Sequence, residues 1–561
     1  MSIEFDVIVI GSGMTGGWAA KELAEKGLKT LLLDRGREVQ HGYDYITENK
    51  ANFELPYRGQ WPPNEKDKAR FNHDSVVVNP GNYHFFNDDR VNPYIYDKDQ
   101  PFNWVRADIF GGRSVVWGRQ CYRWSDLDFE ANKKDGHGID WPIRYKDIAP
   151  WYAYVEKFVG VSGDKLGLPQ LPDGEFLPPM NLNIAENHFK KMVSKKFNGR
   201  VVTIGRTANL TKSLPEQNRS KCMYRAKCDR GCSYGAYFST LSSTLPAALA
   251  TGNLTTQAET LVESLVYDEK KKKVTGVNVI DIASRKKTTI KSRIVFLCAS
   301  AVASNQILMN SKSKAMPYGL GNNFNILGRY LMDHTFGTGA IGILPRFNEY
   351  VEFGRRPTGM YIPRFRNLNN EVGRKKFVRG YNFQSWGEGR APPVNTDGFG
   401  AELKQNLRKP GPWRLPLHAF CEILPKKENR ILLDEKKVDR FGIPQVKFEF
   451  QWSQNEIDML KDASEQAELM LKSAGCVDIE RRDIPSAPGT GIHEMGGARM
   501  GNNPKDSVVN RFGQMHDASN LFISDGSIMT SASCVNPSIT YMALTARAAN
   551  YAVNLMKLNK I

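Results

Sequence analysis

The sequence predicts an α/β chain of α+β overall character, and three observations point to it. A β-branched run opens onto a glycine-rich turn, a helix and a second strand within the first 34 residues. Buried-type strands recur only after residue 250, so a parallel-sheet domain must be assembled from discontinuous segments. From about 335 to 485 apolar and polar residues alternate instead, as in a mainly antiparallel sheet.

Length and composition narrow the function. The 561 residues include 77 Lys+Arg and 60 Asp+Glu, a net charge of +17, and 41% are hydrophobic. That length calls for two or more domains. Eight cysteines are too few for a disulfide scaffold of this size. No apolar run approaches the roughly 18 residues of a transmembrane helix, so no membrane span is expected. The basic residues are scattered. The densest run, Lys270 to Lys273, sits between two strand-like stretches as a solvated hairpin tip, so no nucleic-acid partner is expected.

Each element follows in order. Phe5–Ile10 reads as a buried parallel strand, followed at once by Gly11-Ser12-Gly13-Met14-Thr15-Gly16. A helix over 18–26, a glycine, a strand over 28–33 and Asp34 complete the unit. In such a Gly-x-Gly-x-x-Gly turn, Gly11 permits the bend, Gly13 lets the backbone approach a pyrophosphate, and Gly16 lets helix and strand pack. The helix start offers free N–H groups to phosphate. Asp34, 18 residues after Gly16, can accept from ribose hydroxyls. The glycine motif lies so near Met1 that no signal peptide is expected.

A long irregular region rich in Asn, Pro, Tyr and Asp follows from about 39 to 100. Strands resume at 254–258, 261–267, 274–282 and 288–298, then a helix over 302–310. A nucleotide domain scattered in this way is the habit of large flavoproteins, so FAD is expected over a nicotinamide. Near the C-terminus, Leu521–Ser527 is a strand ending in Asp525-Gly526, and Asn536-Pro537-Ser538 opens a long helix, Asn536 as cap and Pro537 at the first turn. Upstream, Gly491 to Gly501 is a glycine-rich run holding His493. An imidazole is a suitable base for an alcohol proton near neutral pH. Of the other histidines, His334 reads as structural or cofactor-adjacent and His516 as an exposed turn residue.

Four separated motifs share one resemblance: the N-terminal glycine turn, Gly111–Gly118, Leu327–His334, and the C-terminal pair of Gly491–Gly501 with Asn536–Thr540. Together they resemble the glucose–methanol–choline (GMC) oxidoreductase family, nearest its bacterial sugar dehydrogenase large subunits and its pyranose 2-oxidase branch. The resemblance implies a Rossmann-like FAD-binding domain in segments 1–334 and 486–561 and a substrate domain over 335–485. It implies His493 as catalytic base with Asn536 as partner. FAD contacts are expected at Gly11, Ser12, Gly13, Met14, Gly16, Asp34, Arg35, Gly111, Gly112, Ser114, Val262, Ala299, Ser300, Asp525, Gly526, Asn536, Pro537 and Ser538. Where the pyranose-oxidase pattern has a flavin-linking histidine this chain has Val116, so the FAD is expected to be non-covalent.

Three of the eight cysteines, Cys222, Cys228 and Cys232, fall within 11 residues in a C-x5-C-x3-C spacing. Lys221, Arg225, Lys227 and Arg230 flank them and would favour thiolates. From the residues alone, a metal cluster, a disulfide with one free thiol, and zinc all stay open. The family resemblance implies a [3Fe–4S] cluster passing electrons onward. It further implies a carbohydrate or glycoside substrate, a c-type cytochrome acceptor, and a small subunit whose twin-arginine signal exports the complex to the periplasm. No C-x-x-C-H haem motif is present, so the cytochrome would be a separate chain. A cytoplasmic location is the alternative, as is an oxygen-using oxidase without a cluster. Within the substrate domain, strands are expected at 337–344, 379–384, 418–424, 430–433 and 445–450 and a helix over 454–475, with Phe383 to Trp386 and the loop 345–400 lining the substrate site.

Overall fold

The computed structural model describes residues 5–61, 77–352, 354–368, 376–387, 389–390 and 398–561. Parts of the expected substrate loop 345–400, and His73, lie outside the described residues.

The parallel sheet is assembled from distant segments as predicted. Phe5–Ile10 lies at its centre, between Thr30–Leu33 and Lys287–Leu297, both parallel to it. Leu254–Gln257 extends one side and Leu521–Ile523 pairs with the end of Lys287–Leu297. The antiparallel strands Lys273–Asp281 and Thr260–Asp268 continue from the other half of Lys287–Leu297, and the lysine run caps their turn. The central strand is buried on both faces, which explains its unbroken β-branched sequence. Helices Met14–Glu25 and Ser538–Lys557 pack together on one face. Ala19, Ala20 and Ala24 meet Ala548, Ala549 and Ala552 in one cluster, small side chains that let the helix axes approach.

The second region is a six-stranded antiparallel sheet in the order Val477–Arg482, Thr338–Leu344, Trp413–Cys421, Tyr381–Gln384, Met360–Ile362, Thr203–Ile204. Helix Gln454–Ser473 covers it, burying Met459, Leu460, Ala463, Ala467, Met470 and Leu471 against it. The two remaining expected strands belong elsewhere. Arg430–Val438 and Pro444–Glu449 form a separate sheet with Ile95–Tyr96, Arg329–Met332 and Met495–Gly497. That third sheet carries the two segments leading to His334 and from His493. Among the described residues no helix is long and apolar enough to cross a membrane.

Candidate active site

A cavity of about 1030 Å³ runs from the first glycine turn to the antiparallel sheet. At one end, the three motif glycines do different things. A Cβ on Gly16 would lie 1.6 Å from the Gly11 carbonyl oxygen, and one on Gly11 would lie 2.5 Å from the Cys298 oxygen. Those two glycines are required by the protein's own backbone. A Cβ on Gly13 would meet nothing within 4 Å, and Gly13 lines the cavity. Its missing side chain leaves room for something other than protein, which is the space a pyrophosphate needs.

Asp34 lines the same end. One of its oxygens accepts from Ser12 N–H at 2.7 Å and Ser12 Oγ at 2.6 Å, the other from Gly36 N–H at 2.7 Å. Burial raises its pKa in spite of these bonds. Oδ2 is filled by its two bonds from Ser12, whereas Oδ1 keeps a lone pair for a ligand hydroxyl. Ser12 itself is buried away from the cavity and also accepts from Gly111 N–H at 2.7 Å, so it ties two loops together. Gly16 and Gly111 likewise stand behind the wall. Gly11, Met14, Arg35, Gly112, Ser114, Val116, Val262, Ala299, Ser300, Asp525, Gly526, Asn536, Pro537 and Ser538 all line it. Asp525 is a buried acceptor for Ser304 Oγ, Ser527 N–H and Ser527 Oγ, and burial raises its pKa. The C-terminal helix starts one residue later than expected. Pro537 takes the cap position and its carbonyl accepts from Tyr541 N–H, which leaves the Asn536 side chain free of capping.

At the far end His493 and Asn536 meet, Asn536 Nδ2 lying 3.4 Å from His493 Nε2. Two acceptors hold the glycine loop around His493. Asp333 Oδ1 receives His493 N–H at 2.8 Å and Asp333 Oδ2 receives Gly491 N–H at 3.0 Å. A Cβ on Gly491 would sit 2.3 Å from the His334 oxygen, so only glycine lets the loop come this close. Beside it, Glu494 is buried and paired with Arg113 at 2.8 Å. Burial, together with His334 and Arg113, pushes the His493 pKa well below the ordinary histidine value. A neutral imidazole with one nitrogen open to the cavity can accept a proton from an alcohol.

The antiparallel sheet closes this end with Gln384, Trp386, His418 and Phe420, and Phe336 joins them. Trp386 stacks on His418 with ring centroids 4.5 Å apart. Gln384 Nε2 donates to Asn536 Oδ1 at 2.6 Å, while its buried Oε1 has no protein partner. Of the expected lining segment, Gln384 and Trp386 reach the cavity, whereas Phe383 faces the hydrophobic core. Sequence reading gave His418 no supporting neighbours, because its partners come from other strands. His516 is half-buried and bonded to Ser507 Oγ at 3.0 Å, not an exposed turn residue.

Comparison with known proteins is consistent with this geometry. Residues 5–336 and 425–545 match the N- and C-terminal family profiles of the GMC oxidoreductases. The chain belongs to the GMC oxidoreductase family. It is 25% identical to the fructose dehydrogenase large subunit of Gluconobacter japonicus, over 99% of each chain. It is 27% identical to the 2-methyl-1,2-propanediol dehydrogenase of Mycolicibacterium austroafricanum, over 97% of this chain and 94% of that one. A formate oxidase variant of Aspergillus oryzae has the same fold, with a TM-score of 0.62, 14% identity and full coverage of both chains. The protein is therefore an oxidoreductase acting on CH–OH groups, with FAD as the cofactor that membership supports. The Gly13 space and the carboxylate of Asp34 fit that cofactor.

The cysteine cluster is less closed than its sequence spacing implies. Cys222, Cys228 and Cys232 are free thiols lining one small cleft of about 20 Å³. Among the described residues no three His, Cys, Asp or Glu side chains are grouped to hold a metal ion. The flanking cations are largely engaged elsewhere: Arg225 pairs with Glu48 and Asn49, and Lys227 and Arg230 donate to the Lys50 carbonyl. Burial raises the Cys222 thiol to about 11 and raises Cys228 as well. The donors suit iron–sulfur chemistry, but the loop does not close around a cluster in this geometry.

Proposed function

We propose that the chain is an FAD-dependent dehydrogenase that oxidises a hydroxyl of a sugar, glycoside or polyol, with His493 as base. The observation that carries this is the convergence, on one cavity, of a nucleotide cradle, an open His493 Nε2 and a buried acceptor with no partner, Gln384 Oε1. A buried orphan acceptor costs about 1–3 kcal/mol, which a ligand O–H would recover. That favours a substrate with a second hydroxyl beside the one oxidised. The aromatic wall of Phe336, Trp386 and His418 provides flat apolar faces for a sugar ring.

In this reading His493 Nε2 takes the hydroxyl proton, and Asn536 Nδ2 holds the substrate oxygen against it. Gln384 fixes the Asn536 amide so that its N–H face points to the reaction. The aromatic wall keeps water from the carbinol carbon. Bound FAD supplies the acceptor for the hydride that leaves that carbon. Val116, where a covalent flavin link would need a histidine, makes the cofactor non-covalent. The domain division that goes with this reading is 1–334 and 486–561 for the cofactor and 335–485 for the substrate.

For electron exit we propose a [3Fe–4S] cluster at Cys222, Cys228 and Cys232, whose binding would have to draw the three thiols closer together than they stand here. It is supported by the three thiols sharing one cleft, and by Arg119, which lines the main cavity and donates to the Cys228 carbonyl at 3.5 Å. Ligation would deprotonate thiols that burial otherwise keeps neutral. A relative named as a large subunit supports a partner chain. We propose a small exporting subunit and a cytochrome acceptor, placing the complex in the periplasm.

Anaerobic flavin bleaching by a panel of sugars, glycosides and polyols tests the substrate class. His493→Ala should slow bleaching by roughly 10²–10⁴-fold with FAD retained; full activity in that variant would sink the assignment. Peroxide formation in air at the rate of turnover would favour an oxidase. Absence of iron and inorganic sulfide from anaerobically purified protein would remove the cluster.

A further inference from the structure

His334 was expected to be structural or cofactor-adjacent, yet its ring touches the ring of His493, Nδ1 to Nδ1 at 2.8 Å. Its other nitrogen, Nε2, lies 2.9 Å from the carbonyl oxygen of Ser533. A carbonyl can only accept, so His334 Nε2 must carry the hydrogen. A neutral His334 then has a bare Nδ1, which can only accept. His493 must therefore carry its own hydrogen on Nδ1, and its Nε2 is left as a lone pair facing the cavity.

The opposite end of the same chain of bonds agrees. The Asn382 amide donates to the Cys534 carbonyl, and Gln384 Nε2 donates to Asn382 Oδ1 at 3.1 Å and to Asn536 Oδ1 at 2.6 Å. Asn536 must then turn its N–H₂ toward His493 Nε2, which requires a lone pair there. Both ends are anchored on acceptor-only carbonyls of adjacent residues, Ser533 and Cys534. A single pattern of donors satisfies every bond, and it leaves the base of the site unprotonated where the substrate meets it.

We propose that His334 is a positioning residue that fixes the tautomer of His493, so that Nε2 is always the free base. The inference rests on the reading of His493 as the base. His334 is 1% exposed, and burial holds its pKa at about 4, so it stays the neutral acceptor that this role needs. The charged groups around the pair are Asp333, which receives the His493 backbone N–H, and Arg113, paired with Glu494. Asp333 is itself pushed up to about 7 by burial and by Glu494.

Selective ¹⁵N-histidine labelling of the FAD-loaded enzyme tests this without a substrate, with His493→Asn assigning the signal. Wild-type His493 should show a protonated Nδ1 and a bare Nε2. In His334→Phe, which keeps a ring but no acceptor, His493 should become a mixture of tautomers. Flavin reduction by the fastest panel compound should slow roughly 10–100-fold, with FAD content unchanged. His334→Gln, which offers one donor and one acceptor, should restore the tautomer and most of the rate. If Phe does not retain FAD, His334→Leu replaces it.

Two results would overturn the proposal: a single unchanged His493 tautomer in the Phe or Leu variant, or equal losses in Phe and Gln that track only thermal stability. The base reading fails separately, if His493→Ala reduces flavin at the wild-type rate. If His493→Ala is inactive while His334→Phe is fully active, the base reading stands and this inference fails.

Discussion

Gly13 and Gly16 lie three residues apart in one turn, yet alanine at each should fail for opposite reasons. At Gly13 the backbone is at φ −63°, ψ −165°, open to any residue, and a Cβ would meet nothing within 4 Å. Replacing a glycine N-cap by alanine costs about 0.5–1 kcal/mol. The smaller entropy of the unfolded chain returns about 0.4–1 kcal/mol. The apoprotein of Gly13→Ala should therefore unfold within about 0.5 kcal/mol of wild type. The methyl would occupy the cradle, displacing at least one charge-assisted N–H bond to phosphate worth about 1.5–3 kcal/mol. That is a loss of roughly 10–150-fold in FAD affinity. At Gly16 the Cβ would sit 1.6 Å from the Gly11 oxygen and 2.7 Å from its carbonyl carbon. Both atoms are backbone, so the helix must move off the central strand, at about 1–3 kcal/mol or more. The assay is thermal unfolding of both apoproteins with FAD titration by flavin fluorescence. Wild-type FAD affinity in Gly13→Ala, or a wild-type unfolding midpoint in Gly16→Ala, would refute the division of roles.

Three further outcomes follow from the structure. His334 and His418 are both held neutral at about 4 from an ordinary 6.5, so the unfolded chain binds their protons first as pH falls. Their contribution should be complete above pH 6.5 and decline toward pH 4, by up to about 3 kcal/mol for each group, against an opposite gain from Asp333, whose proton the folded chain binds first near pH 7. For His418 it is read as the difference between wild type and His418→Phe in the change of denaturant midpoint from pH 7 to pH 5. Arg379 is buried, bonded to Glu422 Oε1 at 2.6 Å, to Asn132 Oδ1 at 2.8 Å and to Asp135. Arg379→Met should cost about 3–5 kcal/mol by stranding two carboxylates, whereas Lys271→Met on the hairpin tip should cost almost nothing, both by chemical denaturation. Acid precipitation should release all the FAD; flavin left on the pellet would contradict the reading of Val116.

The legible parts of this chain are those whose signal is local. The first strand, turn and helix follow from a β-branched run and glycine spacing, and Gly11 and Gly16 turn out to serve the backbone contacts that the spacing implies. The strand expected at 418–424 in fact runs over Trp413–Cys421. Pro416 hid its beginning, since proline argues against a central strand. It is tolerated because Tyr381–Gln384 pairs only with residues 418–421, leaving one side of Pro416 open. The strands expected at 430–433 and 445–450 are present as Arg430–Val438 and Pro444–Glu449 but join a different sheet, since alternation reports a face and not a partner. His334 was beyond reach for a related reason: its meaning lies in a nitrogen-to-nitrogen contact across 159 residues. The cysteine flank failed in the opposite sense. Its cations are near in sequence, but Glu48, Asn49 and Lys50, from a segment some 180 residues earlier, engage them.

The proposed catalytic end of the cavity lies where two sheets meet. His334 and His493 belong to segments bordering the sheet of Arg329–Met332 and Met495–Gly497, Asn536 precedes the C-terminal helix, and Asn382 and Gln384 come from the antiparallel sheet. Gln384 sets the amide of Asn536, and Asn382 holds the loop through the Cys534 carbonyl. On the same strand line, Arg379 ties the antiparallel sheet to Asn132 and Asp135 of the short helix Ala131–Asp135. A shift of that sheet would therefore move the amide and the aromatic wall together, away from a histidine pair fixed by Asp333 and Ser533. Loss of Arg379 should then weaken flavin reduction before it weakens FAD binding, because Gly13 and Asp34 follow strands of the parallel sheet and not of the antiparallel one. Stability of the interface and competence of the proposed base are in this sense one property, set by a buried arginine that does not line the cavity.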